Sequence, residues 1–131
     1  MVLKDLHIPP TDKSPEVILD PKGILRIQGR GLALNSTDVT DRTLKWIEHY
    51  LENPADVTYV YFAFEYLNSF STSVIVSALK KLSAVMLKSK KLKIIWLYEE
   101  DDDDIMERGE YIAAALHMPI EFIATGKDQD H

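Results

Sequence analysis

Nine consecutive residues, Glu65-Tyr66-Leu67-Asn68-Ser69-Phe70-Ser71-Thr72-Ser73, carry four aliphatic hydroxyls and one carboxamide. Ser, Thr and Asn cap helix N-termini because their side-chain oxygens accept from backbone N–H groups that lack a carbonyl partner. One or two such groups suffice for capping. A further hydroxyl at a helix start is suited to phosphorylation: free N–H groups and the helix dipole favour the added charge locally, and that charge alters what can dock nearby. Composition leaves both uses open.

The run Glu99-Glu100-Asp101-Asp102-Asp103-Asp104 is the second group able to do chemistry. A divalent cation would need oxygen ligands at EF-hand spacing, with a mid-loop glycine and a terminal glutamate, and none of that pattern is present. Acidic residues also stabilise a helix start against its dipole. A solvated, helix-initiating run is the simpler reading, with metal binding or an acidic docking patch as alternatives. His7, His49, His117 and His131 are scattered, with no pair at metal-ligand spacing. Gly29-Arg30-Gly31 lacks the third glycine and following helix of a phosphate loop and reads as a chain-reversing loop. Lys88, Lys90, Lys91 and Lys93 form too short a basic cluster for a nucleic-acid footprint. No Gly-x-Ser-x-Gly elbow occurs, and no serine–histidine–acid set is evident. A hydrolase using Glu65 or the acidic run with a metal is the weakest of the functional readings.

These groups need elements to position them. Residues 1–13 read as a flexible, proline-bearing lead-in. Residues 16–20 and 24–28 form two strands joined by Asp20-Pro21-Lys22-Gly23, where proline pre-sets φ and glycine accepts a positive one. Asn35-Ser36-Thr37 opens a helix near 38–52, which Asn53-Pro54 stops. Residues 57–64 are apolar on both alternating faces, predicting a central strand covered on both sides. A second helix runs from 71–73 to about Lys88, with Ile75, Ala78, Leu79, Leu82, Val85 and Met86 inward. A strand at 91–98, a helix at about 103–116 and a strand at 120–124 follow, then a polar tail at 126–131.

The order β-β-α-β-α-β-α-β predicts a single α/β domain over 14–125, with an N-terminal hairpin, three βα units and a five-stranded, mostly parallel sheet. Its 131 residues, 46% apolar and 27% charged, suit one two-layer core. A net charge of −6 disfavours nucleic acid, and the absence of cysteine excludes thiol chemistry and thiolate zinc sites. The start has no apolar h-region and no stretch reaches about 18 apolar residues, so we expect a cytoplasmic protein with no membrane attachment.

Several dispersed motifs together resemble one family. Ser14-Pro15-Glu16-Val17, Asp20-Pro21, Gly23-Ile24-Leu25 and Ile27-Gln28-Gly29-Arg30 are similar to the opening of the SiaC family of regulatory phosphoproteins. So are Trp46-Ile47-Glu48, Tyr50-Leu51, Asn53-Pro54, Phe64-Glu65-Tyr66-Leu67-Asn68, Trp96-Leu97-Tyr98-Glu99-Glu100-Asp101-Asp102 and Met118-Pro119-Ile120-Glu121-Phe122. The resemblance spans roughly 14–124 and implies a STAS-like fold, no catalytic activity and no cofactor. It implies a switch: a Ser/Thr kinase phosphorylates the loop after the central strand, a PP2C-type phosphatase reverses it, and the unmodified form activates a diguanylate cyclase that controls cyclic di-GMP and biofilm formation. The family's loop reads Asn-Thr-Ser-Ser; here Ser69 takes the threonine position and bulky Phe70 the next. Ser69 is the first candidate acceptor, with Ser71 and Thr72 as alternatives. Asn68, Ser69, Phe70, Ser73 and Ser77 are the candidate partner-binding residues. A homodimer is among the assemblies to be tested. The runner-up function is a small-molecule module holding a nucleotide or lipid at the same rim.

Overall fold

The computed structural model describes residues 2–31 and 37–126. The elements are β1 (Leu6–Ile8), β2 (Glu16–Asp20), β3 (Ile24–Gly31), α1 (Thr37–Tyr50), β4 (Val57–Leu67), α2 (Ser69–Leu82), β5 (Lys91–Glu99), α3 (Asp103–Leu116) and β6 (Glu121–Thr125). They build one six-stranded sheet in the order β1-β2-β3-β4-β5-β6. β1, β2 and β3 pair antiparallel, and β3 to β6 are parallel. The βαβ succession and mixed, mostly parallel sheet are those expected from the strand and helix spacing.

The strand count is corrected from five to six. The extra strand comes from the segment taken as a flexible lead-in, whose three strand residues are too few to show a convincing alternation. Leu6, His7 and Ile8 pair with Leu19, Ile18 and Val17. Ile8 is buried, and the Trp46 indole N–H donates to the Lys4 carbonyl at 2.7 Å. His7 bonds Glu16 at 2.8 Å, and Gln28 donates to the other Glu16 oxygen at 2.8 Å. The Gln28 bond, followed by that from His7, holds the Glu16 carboxyl below its ordinary value.

The Asp20–Gly23 turn forms as expected: the Gly23 N–H donates to the Asp20 carbonyl at 2.9 Å, and Gly23 adopts φ 104°. A Cβ there would stand 2.5 Å from the Val57 carbonyl oxygen, so both space and backbone demand glycine. Gly29-Arg30-Gly31 does not end its strand. β3 continues to Gly31 through a bulge between Gly29 and Arg30, and the positive φ of Gly29 (114°) supplies the bend. The second helix also differs from expectation, tightening after Leu82 into a 3-10 segment over Ser83–Lys88. Ser69–Lys88 is apolar enough in composition to cross a membrane, but Ile75, Leu79, Leu82 and Val85 pack in the core, as in a core helix of a globular domain. Asn35, Ser36 and the tail from Lys127 to His131, all given roles by the sequence reading, lie outside the described residues.

The four parallel strands advance one place at a time in a single direction. Right-handed crossovers then put every helix on the same side of the sheet. Alternate strand residues, among them Leu25, Ile27, Val60, Phe62, Ile94 and Trp96, meet Trp46, Ile47, Leu79 and Ile112 from the helices in one core. The expectation that the central strand is covered on both faces is therefore corrected. The opposite alternation of β4, Val57, Tyr59, Tyr61 and Ala63, is only half-buried and belongs to a face over which, among the described residues, no helix lies.

Helix α3 sits closest to the sheet at Gly109. A Cβ at that position would lie 2.7 Å from a Phe122 ring carbon and 2.8 Å from two Trp96 ring carbons. Helix propensity alone favours Gly109→Ala by about 1 kcal/mol. Overpacking against two rings costs more, so we expect a net loss of about 1–2 kcal/mol in urea unfolding. Stabilisation would show that the rings can yield.

Candidate functional site

The site is the junction of β4 and α2 together with the facing side of α3. Asn68 is the N-cap of α2: its Oδ1 accepts from the Ser71 N–H at 2.8 Å, and its carbonyl accepts from the Thr72 N–H at 3.0 Å and the Thr72 hydroxyl at 2.9 Å. The Ser71 hydroxyl is fully buried and donates to the Gly31 carbonyl at 2.6 Å, tying α2 to the end of β3. Thr72, 6% exposed, also accepts from the Arg108 guanidinium at 3.3 Å. Ser73 bonds the Ser69 carbonyl at 3.2 Å.

The three candidate acceptors are thereby separated. Ser71 and Thr72 are buried and committed to holding the helix start, whereas Ser69 is exposed at its first position. Ser71→Ala leaves the Gly31 carbonyl without that donor in a dry site, and we expect it to cost about 1–3 kcal/mol of unfolding free energy. An unchanged urea midpoint would refute the tie.

Ser69, Thr72, Ser73 and Ser77 line an open groove of about 1040 Å³ between α2 and α3. Its lip is formed by Glu65 and Tyr66 at the end of β4, and its far wall by Asp102, Asp104, Glu107, Arg108 and Tyr111. Four carboxylates therefore face a single guanidinium among the groove's lining residues. Phe70, a candidate contact from the sequence, is 57% exposed but lies outside the groove lining. Asn68 serves as the cap.

Most of this far wall was missed by sequence reasoning. Asp104, Arg108, Tyr111 and Ala115 recur at helical spacing beside the inward stripe of Ile105 and Ile112, a signal that a second face of α3 was available. Nothing local says that this face meets α2.

The acidic run splits into roles. Asp102 caps α3, its Oδ1 accepting from the Ile105 N–H at 3.1 Å, and Asp103 and Asp104 occupy the first turn. Among the described residues, no group of three or more His, Asp or Glu side chains is arranged to hold a metal ion. The lysines after α2 are structural in part: Lys88 donates to the Leu51 and Glu52 carbonyls, and Lys90 pairs with Asp56 at 2.8 Å, which holds that carboxyl below its ordinary value.

Comparison with known proteins places this architecture. The crystal structure of diguanylate cyclase SiaD in complex with its activator SiaC, from Pseudomonas aeruginosa, contains a chain that superposes with a TM-score of 0.83 at 24% identity, covering 92% of this chain and 100% of that one. Apo-SiaC from the same organism superposes with a TM-score of 0.78 at 23% identity, covering 92% of this chain and 99% of its own. At these identities the likeness establishes the fold. A curated relative, an uncharacterised protein of Pseudomonas aeruginosa strain UCBPP-PA14, is 25% identical over 118 residues, 89% of this chain and 94% of the relative. The model of one family matches residues 8–125, from the end of β1 to the end of β6, and the chain accordingly belongs to the SiaC family of regulatory phosphoproteins.

Proposed function

We propose that this protein is a non-enzymatic switch. Its groove between α2 and α3 docks a signalling partner, a diguanylate cyclase by analogy with the SiaD–SiaC complex, and phosphorylation of Ser69 empties that groove. A Ser/Thr kinase would add the phosphate and a PP2C-type phosphatase remove it, linking the chain to cyclic di-GMP and biofilm control. The observation that carries the reading is the accessibility of Ser69 on the groove rim, next to two hydroxyls that are buried and engaged.

The electrostatics support the direction of the switch. Ser69 and Thr72 lie one turn apart on α2, and Arg108 bonds Thr72, so the guanidinium is within reach of a phosphate on Ser69. That phosphate brings about −1.5 to −2 charges. One guanidinium among four carboxylates cannot neutralise it once a partner has displaced water. An unpaired charge sealed in an interface costs about 2–5 kcal/mol. The same four carboxylates disfavour the small-molecule reading where the ligand is a nucleotide.

The test is phosphopeptide mass spectrometry of the protein isolated from its own cells, joined to pull-down of a purified diguanylate cyclase before and after phosphatase treatment. We expect phosphate on Ser69 and cyclase captured by the dephosphorylated form. Phosphate on another residue alone, or equal capture of both forms, would overturn the reading.

A further inference from the structure

We infer that the helix-free face of the sheet is where two copies of this chain pair, about a twofold axis running along the strands between β4 and β5. Each described helix packs on the other side, so among the described residues this face carries no covering layer. The middle of this face is nevertheless apolar, with Tyr59, Tyr61 and Ala63 from β4, Ile95 and Leu97 from β5 and Ile123 from β6, and charged or polar residues such as Arg26, Gln28, Lys93 and Glu121 flank it. Ile123 is 39% exposed, and Ile95, although shielded by its neighbours, takes no part in the core beneath the helices. A sheet with one solvated face normally turns polar residues outward, and a contiguous apolar patch at its middle marks an interaction surface.

The register says what covers it. Arg26, Tyr61, Ile95 and Glu121 form one row across β3, β4, β5 and β6. Gln28, Ala63, Leu97 and Ile123 form the next row, and Tyr59 stands beside Lys93 on the opposite flank. At about 4.8 Å per strand, Arg26 and Glu121 lie equally far, about 7 Å, from the line between β4 and β5.

Sheets packed face to face keep their strands nearly aligned and about 10 Å apart. A twofold axis along that line therefore lays each row over itself. Arg26 meets Glu121 of the second copy at both ends of the row, Tyr61 meets Ile95, and Ala63 meets Leu97. Lys93 comes over the second copy's Tyr59, a cation against an aromatic face. Arg26 already lies against an aromatic ring on this face, 5.0 Å from the Tyr61 ring centre. An isologous contact needs a patch complementary to itself, and this row, cation at one end and anion at the other about an apolar middle, is such a patch. The pairing is independent of the Ser69 reading, since it uses the opposite side of the sheet from the groove.

Sedimentation equilibrium of the full chain tests it. We expect a monomer–dimer equilibrium, and we expect Arg26→Glu and Glu121→Arg each to weaken it by about thirtyfold, because each reversal turns two attractive contacts into repulsive ones. Mixing the two variants restores both contacts, so the mixture should form a heterodimer that neither variant forms with itself. Circular dichroism and thermal melting of each variant establish that it is folded. A wild-type chain that stays monomeric, including one whose open face binds some other partner, would overturn the proposal. So would reversals that leave self-association unchanged, or a mixture that stays monomeric.

Discussion

Ser69→Asp is expected to weaken binding of a purified diguanylate cyclase by roughly thirtyfold to several thousandfold, while Ser69→Asn and Ser69→Ala bind within a few-fold of the native chain. Asparagine is the neutral isostere of aspartate, so the comparison isolates charge from shape. The rim of the groove holds Glu65 beside Ser69, with Asp102, Asp104 and Glu107 opposite, and Arg108 as the cation among them. A carboxylate at position 69 enters that field and loses its water when a partner closes the groove. Helix stability does not confound the measurement. An acid in the first turn of α2, which has none, favours the dipole by about 0.3–1 kcal/mol, so the variant should melt no earlier than the native chain. Removing the counter-charge with Arg108→Gln in the Ser69→Asp background should weaken binding further. Titration calorimetry gives all five affinities, that of the native chain included, and equal binding by the aspartate and asparagine variants would defeat the electrostatic account.

Trp96→Ala is expected to cost about 3–5 kcal/mol of unfolding free energy, a large share of the roughly 5–15 kcal/mol that holds a domain together. Trp96 is fully buried at the centre of β5, with ring centres of Phe62 and Phe64 at 5.6 and 6.0 Å and Gly109 of α3 directly above. Its indole N–H donates to the Ile105 carbonyl at 2.9 Å in the first turn of α3. One side chain thus packs the sheet and anchors the helix that forms the far wall of the groove. Truncation leaves a cavity, removes the donor and loosens α3 over the site. Trp96→Phe refills most of the volume without restoring the bond, and we expect it to cost about 1–3 kcal/mol from the lost hydrogen bond and the imperfect repacking. Urea titrations of the two variants separate packing from hydrogen bonding. A loss below 1 kcal/mol for Trp96→Ala would mean that α3 is seated by something else.

Much of the architecture was legible because it is written in local periodicity. The alternation through β2 and β3, the stripe from α2 as far as Val85 and the Asp20–Gly23 turn each use residues close in the chain, so their chemistry is visible without a fold, although Met86, expected inward, is exposed. The limits of α3, Asp103–Leu116, follow from its acidic start and from Pro119, which cannot continue a helix. The failures have one source. β1 contributes only three residues, and its pairing with β2 is decided some ten residues away. Gly29-Arg30-Gly31 reads as a loop because glycine suits loops, yet parallel pairing with β4 carries the strand through it. The doubly apolar β4 implies two covering layers, since alternation records which way a side chain points but not what lies beyond it.

The site divides in the same way. From the residues alone came a helix start with more hydroxyls than capping requires, and from the motif order came the family to which the chain belongs. Which hydroxyl faces solvent could not be read there, because Ser69, Ser71 and Thr72 share composition and differ only in where α2 points them. Contact with β3 buries Ser71, and contact with α3 engages Thr72, leaving Ser69 on the rim. Arg108 reaches the groove because a right-handed crossover brings α3 beside α2, across 36 positions of sequence from its hydrogen-bond partner. Short-range preferences specify elements and their caps. The groove between α2 and α3 is assembled from groups distant in the chain, and only their packing sets it.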